Sequence, residues 1–144
     1  MRKLILLTAL FLTFGKLNGA DNIGIFTDHL DIGNPRLPGN TVYNTEDQSY
    51  HLTGAGYNIW FERDEFQYAF KSVKGDFILT ANFEFIGNGK NPHRKIGWMI
   101  RESLEDNASH ISAAVHGDGL TEMQWRQLRG SNMIEKQDEA IAPK

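Results

Sequence analysis

The 144-residue chain contains no cysteine and has no excess of positive charge. The absence of cysteine excludes disulfide scaffolds, thiolate zinc sites, cysteine nucleophiles and lipid attachment through an N-terminal cysteine. Lys and Arg number 15 against 18 Asp and Glu, a net charge of −3. A nucleic-acid binder needs a basic surface, so no nucleic-acid partner is expected. The length suits one domain.

The first twenty residues have the three-part layout of a secretory signal peptide. A positive start, Met1 to Lys3, precedes an apolar run from Leu4 to Phe14, and a small, polar stretch ends at Ala20. As a helix the run would rise only ~16 Å, too short for a ~30 Å hydrocarbon core. The alternative is a buried N-terminal helix. We therefore predict a signal peptide over residues 1–20 and a periplasmic or secreted protein that does not span the membrane.

Apolar residues alternate along most of the remaining chain, which predicts β-strands. The longest run is Phe77 to Phe85, and shorter runs occupy 66–70, 96–100, 111–115 and, more weakly, 123–125. A hairpin is predicted from 41–43 and 50–52, and residues 57–65 have room for one helical turn. Glycine- and Asp/Asn-rich turns separate the strands, so the pattern indicates an all-β antiparallel sandwich or barrel. The domain is expected over 21–128. Residues 129–144 lose the alternation and are predicted to be a polar tail or a truncated remainder without a closing strand.

Two groups of motifs carry a family resemblance. The first comprises Gly54–Phe61, Asp64–Phe66 and Lys74–Phe77, and the second comprises Pro92–Arg101, His116–Leu120 and Gln124–Arg126. Together they resemble a bacterial family of exported concanavalin A-like lectin/glucanase domains, described as TolB-like or of unknown function, over residues 23–128. The resemblance implies a jelly-roll sandwich of a kind that frequently binds glycans and sometimes cleaves them. Such a sandwich has further strands, so the fold is expected to be incomplete at the C-terminal end.

Polar residues on three neighbouring strands suggest a binding site. Arg101, His116, Gln124 and Arg126 have the parity opposite to the apolar residues of their strands, which predicts a polar patch on an outer sheet face. Gly97 would leave a hollow in this patch and Asp118 would lie nearby. Arginine forks and planar donors suit hydroxyl-rich or anionic ligands. The alternative is a solvated outer face beside a turn-forming Gly-Asp-Gly.

Trp60, with Asn58, is a second candidate for ligand binding. An aromatic ring on a loop could stack on the apolar C–H face of a sugar. The alternative is that Trp60 covers one end of the core, since large aromatic side chains are usually well buried. Trp98 and Trp125 have the parity of their apolar neighbours and are predicted to lie in the core.

Signatures of catalysis and of cofactors are missing. The Glu-x-Asp-x-Glu run of sandwich glucanases does not occur, and Asp64 and Glu65 would point to opposite faces of a strand. There is no Gly-x-Ser-x-Gly elbow or His-Glu-x-x-His pair, and the five histidines lack metal-ligand spacing. Structural calcium could be held only through Asp118 and loop carbonyls, without the twelve-residue acidic loop. No cofactor is therefore expected.

The leading hypothesis is a non-catalytic carbohydrate-binding module whose partner is a polysaccharide or glycan. Its ligand-binding residues are predicted to be Arg101, His116, Asp118, Gln124, Arg126, Asn58 and Trp60. The alternative is a protein-interaction module of a TolB-like cell-envelope assembly, in which the same face meets cell-envelope proteins. A glycoside hydrolase is the third hypothesis.

Overall fold

Eight β-strands and no helix occur in residues 23–87, 89 and 91–137, the part of the chain that this computed structural model describes. The predicted signal peptide lies outside these residues. The strands are β1 Asp28–Ile32, β2 Asn40–Asn44, β3 Ser49–Thr53, β4 Phe66–Phe70, β5 Lys95–Arg101, β6 His110–His116, β7 Thr121–Arg126 and β8 Ile134–Gln137. Every strand pair is antiparallel, so the predicted all-β class is confirmed.

The strands form two small sheets and one larger one. β1 pairs with β4, β2 pairs with β3, and the larger sheet has the order β5-β6-β7-β8. The β2–β3 hairpin turns where it was predicted, because side chains close the turn locally: Asn44 Oδ1 accepts from the Glu46 amide, and Asp47 Oδ1 accepts from the Ser49 amide. No helix in the described residues is long and apolar enough to cross a membrane.

The strand predicted from Phe77 to Phe85 does not form. Its residues are irregular and mostly exposed, although Phe83 contacts Trp98 edge-on with the ring centroids 6.1 Å apart. Alternation predicts which side chains share a face, but a strand also needs backbone partners. At the outer edge of β5 the hydroxyl of Tyr68 donates to the carbonyl of Met99 at 3.0 Å. A side chain from β4 thus uses a backbone acceptor that a fifth strand of this sheet would require.

Three further local predictions need correction. β1 was not predicted, because its sequence Asp-His-Leu-Asp-Ile alternates only weakly in hydropathy. β8 lies in the segment that was predicted to lack a closing strand, and it pairs with β7 although most of its residues are polar. Residues 57–65 form no helical turn. They form a loop that closes through an isolated bridge between Ile59 and Asp64.

The larger sheet buries the face that was predicted to be outside. Its polar residues, including His116, Gln124 and Arg126, are buried, whereas Ile111 and Met123 on the opposite face are 41% and 49% exposed. The prediction that this polar patch faces outward is therefore wrong. The physical reason is the loop at 57–65, which lies over the polar side and supplies hydrogen-bond acceptors for Lys95 and Arg126. Buried polar groups are tolerated where they are hydrogen-bonded.

The opposite face is called here the apolar sheet face. Its central residues are Trp98, Ile100, Ile111, Ala113, Met123 and Trp125, placed in two cross-strand rows by the registers. Both tryptophans are half-buried, so the prediction that they belong to the core is not met in full. Within the described residues the rings of Phe26 and Phe83 cover Trp98, while the loop at 57–65 packs on the other side of the sheet.

Candidate functional site

The buried polar side of the larger sheet brings together most of the predicted site residues. This polar sheet face is formed by β5, β6 and β7, whose antiparallel registers align Arg101 with His110 and Arg126, and Ser112 with Gln124. Its remaining members are Lys95, Gly97, Met99, Ala114, His116 and Glu122. Two clusters of charged side chains divide the face, one at each end of the strands.

The first cluster surrounds Asp64, which is fully buried. Both terminal nitrogens of Arg126 donate hydrogen bonds to the Asp64 carboxylate, Nη1 to Oδ2 at 2.8 Å and Nη2 to Oδ1 at 2.7 Å. Arg101 Nη1 and His110 Nε2 lie 3.4 Å and 3.5 Å from Oδ2. This bidentate fork anchors the loop at 57–65 to β7, and the guanidinium of Arg101 adds to the compensation of the buried charge.

The pKa values of Asp64 and Arg101 are both lowered, by different causes. Burial opposes ionisation of Asp64, but the hydrogen bonds and charges of His110 and Arg126 outweigh it and lower the pKa of the carboxyl group. Burial lowers the pKa of Arg101, and the charge of Asp64 opposes that effect. Because a guanidinium is not deprotonated in proteins, the cluster is an ion network of one carboxylate and two arginines.

Arg126 has no N–H group left for a ligand. Nε donates to the Ser131 carbonyl at 2.9 Å, Nη1 also donates to the Ala108 carbonyl at 3.1 Å, and Nη2 also donates to the Phe61 carbonyl at 2.7 Å. With the two bonds to Asp64 all five guanidinium protons are engaged. Arg101 likewise donates to the carbonyls of Ser103 and Glu105. These two predicted ligand-binding residues position the loops around the face.

The second cluster lies at the opposite end and surrounds Lys95. Its Nζ donates to Gln124 Oε1 at 3.0 Å and lies 3.5 Å from Glu122 Oε1. The same ammonium lies 5.4 Å from the ring centre of Trp60, within range of a cation–π interaction. Burial lowers the pKa of Lys95, and the charge of Glu122 opposes it.

Two buried atoms of the second cluster have no hydrogen-bond partner. His116 Nε2 lies 2.8 Å from Glu122 Oε1, and because a carboxylate can only accept, Nε2 carries the proton. In the neutral imidazole the other nitrogen, Nδ1, is then a free acceptor. The Nε2 amide of Gln124 is a free donor. The cluster thus offers one unused acceptor and one unused donor, and its Lys95 contacts an aromatic ring.

The remaining predicted residues lie off this cluster or shape it. Asp118 is exposed in the β6–β7 turn, where its Oδ1 accepts from the Leu120 amide, and this bond lowers the pKa of the carboxyl group. Asn58 bonds to the backbone amide of Ile59 and orders the loop that carries Trp60. Gly97 leaves no hollow, because a Cβ there would collide with the backbone carbonyl of Ala113.

Four important residues of the polar sheet face and its loop were not predicted. Lys95, His110 and Glu122 share strand parity with the predicted residues, so the alternation could have found them. Asp64 had no local signal, since it was interpreted as part of a charged loop.

The described residues include no group of three or more His, Asp or Glu side chains that could hold a metal ion. No protein-family model, no curated protein sequence and no solved structure matches the chain. The site is therefore interpreted from its own chemistry.

Proposed function

We propose that the protein is an exported, non-catalytic carbohydrate-binding module with a concanavalin A-like architecture, and that the Lys95 cluster binds the sugar. The carrying observation is the free acceptor on His116 and the free donor on Gln124, in the cluster whose Lys95 ammonium lies 5.4 Å from the ring of Trp60. A sugar hydroxyl both donates and accepts hydrogen bonds, and the C–H face of a sugar ring suits an aromatic surface. Carbohydrate chemistry therefore complements this cluster.

Charge compensation favours a neutral sugar over an acidic one. The ammonium of Lys95 already pairs with Glu122 and donates a hydrogen bond to Gln124, so no uncompensated cation faces the ligand. Both free atoms are buried, so a sugar reaches them only when neighbouring side chains move. The arginines of the first cluster contribute by holding the loop that carries Trp60.

The ion network argues against the hydrolase hypothesis. A glycosidase needs one carboxylic acid that stays protonated to act as general acid. Asp64, the most deeply buried carboxyl group of the face, has a lowered pKa.

Binding to an immobilised panel of neutral and acidic glycans tests the proposal. We expect the chain to retain at least one neutral glycan. Trp60→Ala and Gln124→Leu should each weaken retention by about tenfold, the loss of roughly one good contact. Asp118→Ala is the matched control and should bind as the parent does, because Asp118 lies in an exposed turn.

Two outcomes would contradict the proposal. If no glycan is retained while near-ultraviolet circular dichroism shows a packed chain, the carbohydrate hypothesis is wrong and the TolB-like protein-interaction hypothesis takes its place. If Asp118→Ala abolishes binding while Gln124→Leu does not, the site lies at the β6–β7 turn.

A further inference from the structure

A carboxylate of β8 lies next to the Lys95 cluster on its solvent side. Glu135 is the register partner of Gln124, and residues directly opposite each other in an antiparallel pair project from the same face, with Cβ atoms about 4.5–5.5 Å apart. Gln124 is fully buried, whereas Glu135 is exposed. Glu135 therefore extends the polar sheet face to solvent beside the residue that carries the free amide donor.

Glu135 adds a negative charge to a buried pair that is already compensated. The side chains of Lys95 and Glu122 are only 10% and 2% exposed, and the Lys95 Nζ lies 3.5 Å from Glu122 Oε1. Burial lowers the pKa of Lys95, and the charges of Glu122 and Glu135 oppose that effect. These three side chains comprise one ammonium and two carboxylates, and a ligand that approaches from solvent meets the Glu135 carboxylate first.

We propose that the Lys95 cluster prefers sugars that carry a free, protonated amino group, and that Glu135 selects them. This inference rests on the proposed carbohydrate function and names the class of sugar. An amino group and the hydroxyl beside it on a sugar ring can bond to two neighbouring side chains. The sugar ammonium then donates to Glu135 while the hydroxyl accepts from the Gln124 amide. A hydrogen bond between charged groups is roughly twice as strong as a neutral one.

The existing contacts of the cluster are compatible with such a ligand. A carboxylate has about four acceptor sites, so Glu135 can accept from a sugar in addition to its interaction within the chain. The Lys95 ammonium is directed to the Gln124 side chain and to the Ile59 carbonyl. An acidic sugar would bring its carboxylate next to that of Glu135 and be repelled. The expected order of affinity is therefore amino sugar, neutral sugar, acidic sugar.

Isothermal titration calorimetry with the glucosamine trisaccharide and its N-acetylated form tests this inference, because acetylation removes the positive charge. At about pH 6 a free amine is protonated. We expect the full chain to bind the free amine at least about fivefold more tightly, near the upper end for an exposed ion pair. About 0.5 M NaCl should remove most of that preference, because salt screens exposed charges.

Glu135→Gln keeps the size of the side chain and removes its charge. It should weaken binding of the glucosamine trisaccharide about fivefold and leave binding of the N-acetylated form unchanged. Glu46→Gln is the matched control, since it removes the same charge from an exposed position in the β2–β3 turn, outside the larger sheet. It should leave both affinities unchanged, and an equal loss in Glu46→Gln would overturn the role given to Glu135.

The failure of this inference can be told apart from the failure of the proposed function. A chain that retains a neutral glycan but binds the two trisaccharides equally, or binds neither, overturns the amino-sugar preference alone. A Glu135→Gln variant that keeps the full preference, or loses affinity for both forms equally, also overturns it. A chain that retains no glycan of any class overturns the carbohydrate function and this inference with it.

Discussion

At the scale of single residues, Asp64 shows how a buried charge is made tolerable in this protein. It has no solvent exposure, yet burial, which opposes its ionisation, is outweighed by His110 and Arg126. Removing one partner of such a group is costly because the remaining charge stays buried. The carboxyl group therefore acts as the fixed point between the loop at 57–65 and the larger sheet.

The lowered pKa of Asp64 predicts how stability depends on pH. The folded-state pKa lies below the ordinary value of 3.8, so the unfolded chain binds the proton more readily in acid. The contribution of Asp64 is present above about pH 4 and is lost as the pH falls through the folded pKa. Urea unfolding between about pH 2 and pH 6 should show this loss, and Asp64→Asn should flatten the curve.

Asp47→Asn is the control for this pH prediction. The pKa of Asp47 is also lowered, by hydrogen bonds from Ser49, but the group is fully exposed in the β2–β3 turn. Its substitution should leave the acid slope close to that of the parent chain. Identical slopes for Asp64→Asn and the parent would contradict the role given to Asp64.

At the scale of elements, the sequence predicts strands and shared faces better than it predicts burial. The β2–β3 hairpin and the strands from β4 to β7 follow from alternation, and so does the common face of Arg101, His116 and Gln124. Alternation does not tell which face meets the rest of the chain. That choice depends on Asp64 and Trp60, which lie far away in sequence and contact Arg126 and Lys95 on the polar side of the sheet.

The strand that fails to form has a similar explanation. Phe77 to Phe85 alternates more regularly than β8, yet β8 pairs and the former does not. Strand formation depends on a free neighbouring edge as well as on pattern. β7 offers such an edge to β8, whereas Tyr68 takes an acceptor on the outer edge of β5.

Gly97 provides a test of the pairing between β5 and β6. A Cβ at this position would collide with the carbonyl of Ala113 on the neighbouring strand, and backbone cannot move aside as easily as a side chain. We expect Gly97→Ala to lower the free energy of unfolding by about 1–3 kcal/mol, as overpacking usually does. Urea unfolding is the measurement. Thr53→Ala on the exposed edge of β3 should cost at most about 0.5 kcal/mol, and equal effects of the two substitutions would contradict the close approach.

At the scale of the whole molecule, separate parts of the chain are joined by polar contacts as much as by apolar packing. The described residues bury few large apolar side chains, with Ile32 the largest that is fully buried. Arg126 connects β7 with Asp64, with the Phe61 carbonyl and with the Ala108 carbonyl before β6. This single guanidinium therefore couples the loop at 57–65 to the larger sheet.

Substitution of Arg126 should consequently affect the entire fold. Arg126→Met keeps the length of the side chain but leaves Asp64 with weaker partners, and we expect a loss of about 3–5 kcal/mol in the free energy of unfolding. Arg63→Met, which breaks the exposed pair with Glu65, should leave the free energy of unfolding nearly unchanged. Adding Asp64→Leu to Arg126→Met removes the unpaired charge and should restore much of the loss. The measurement for the three variants is urea unfolding followed by near-ultraviolet circular dichroism. A cost below about 1 kcal/mol for Arg126→Met would show that apolar packing alone holds the loop to the sheet.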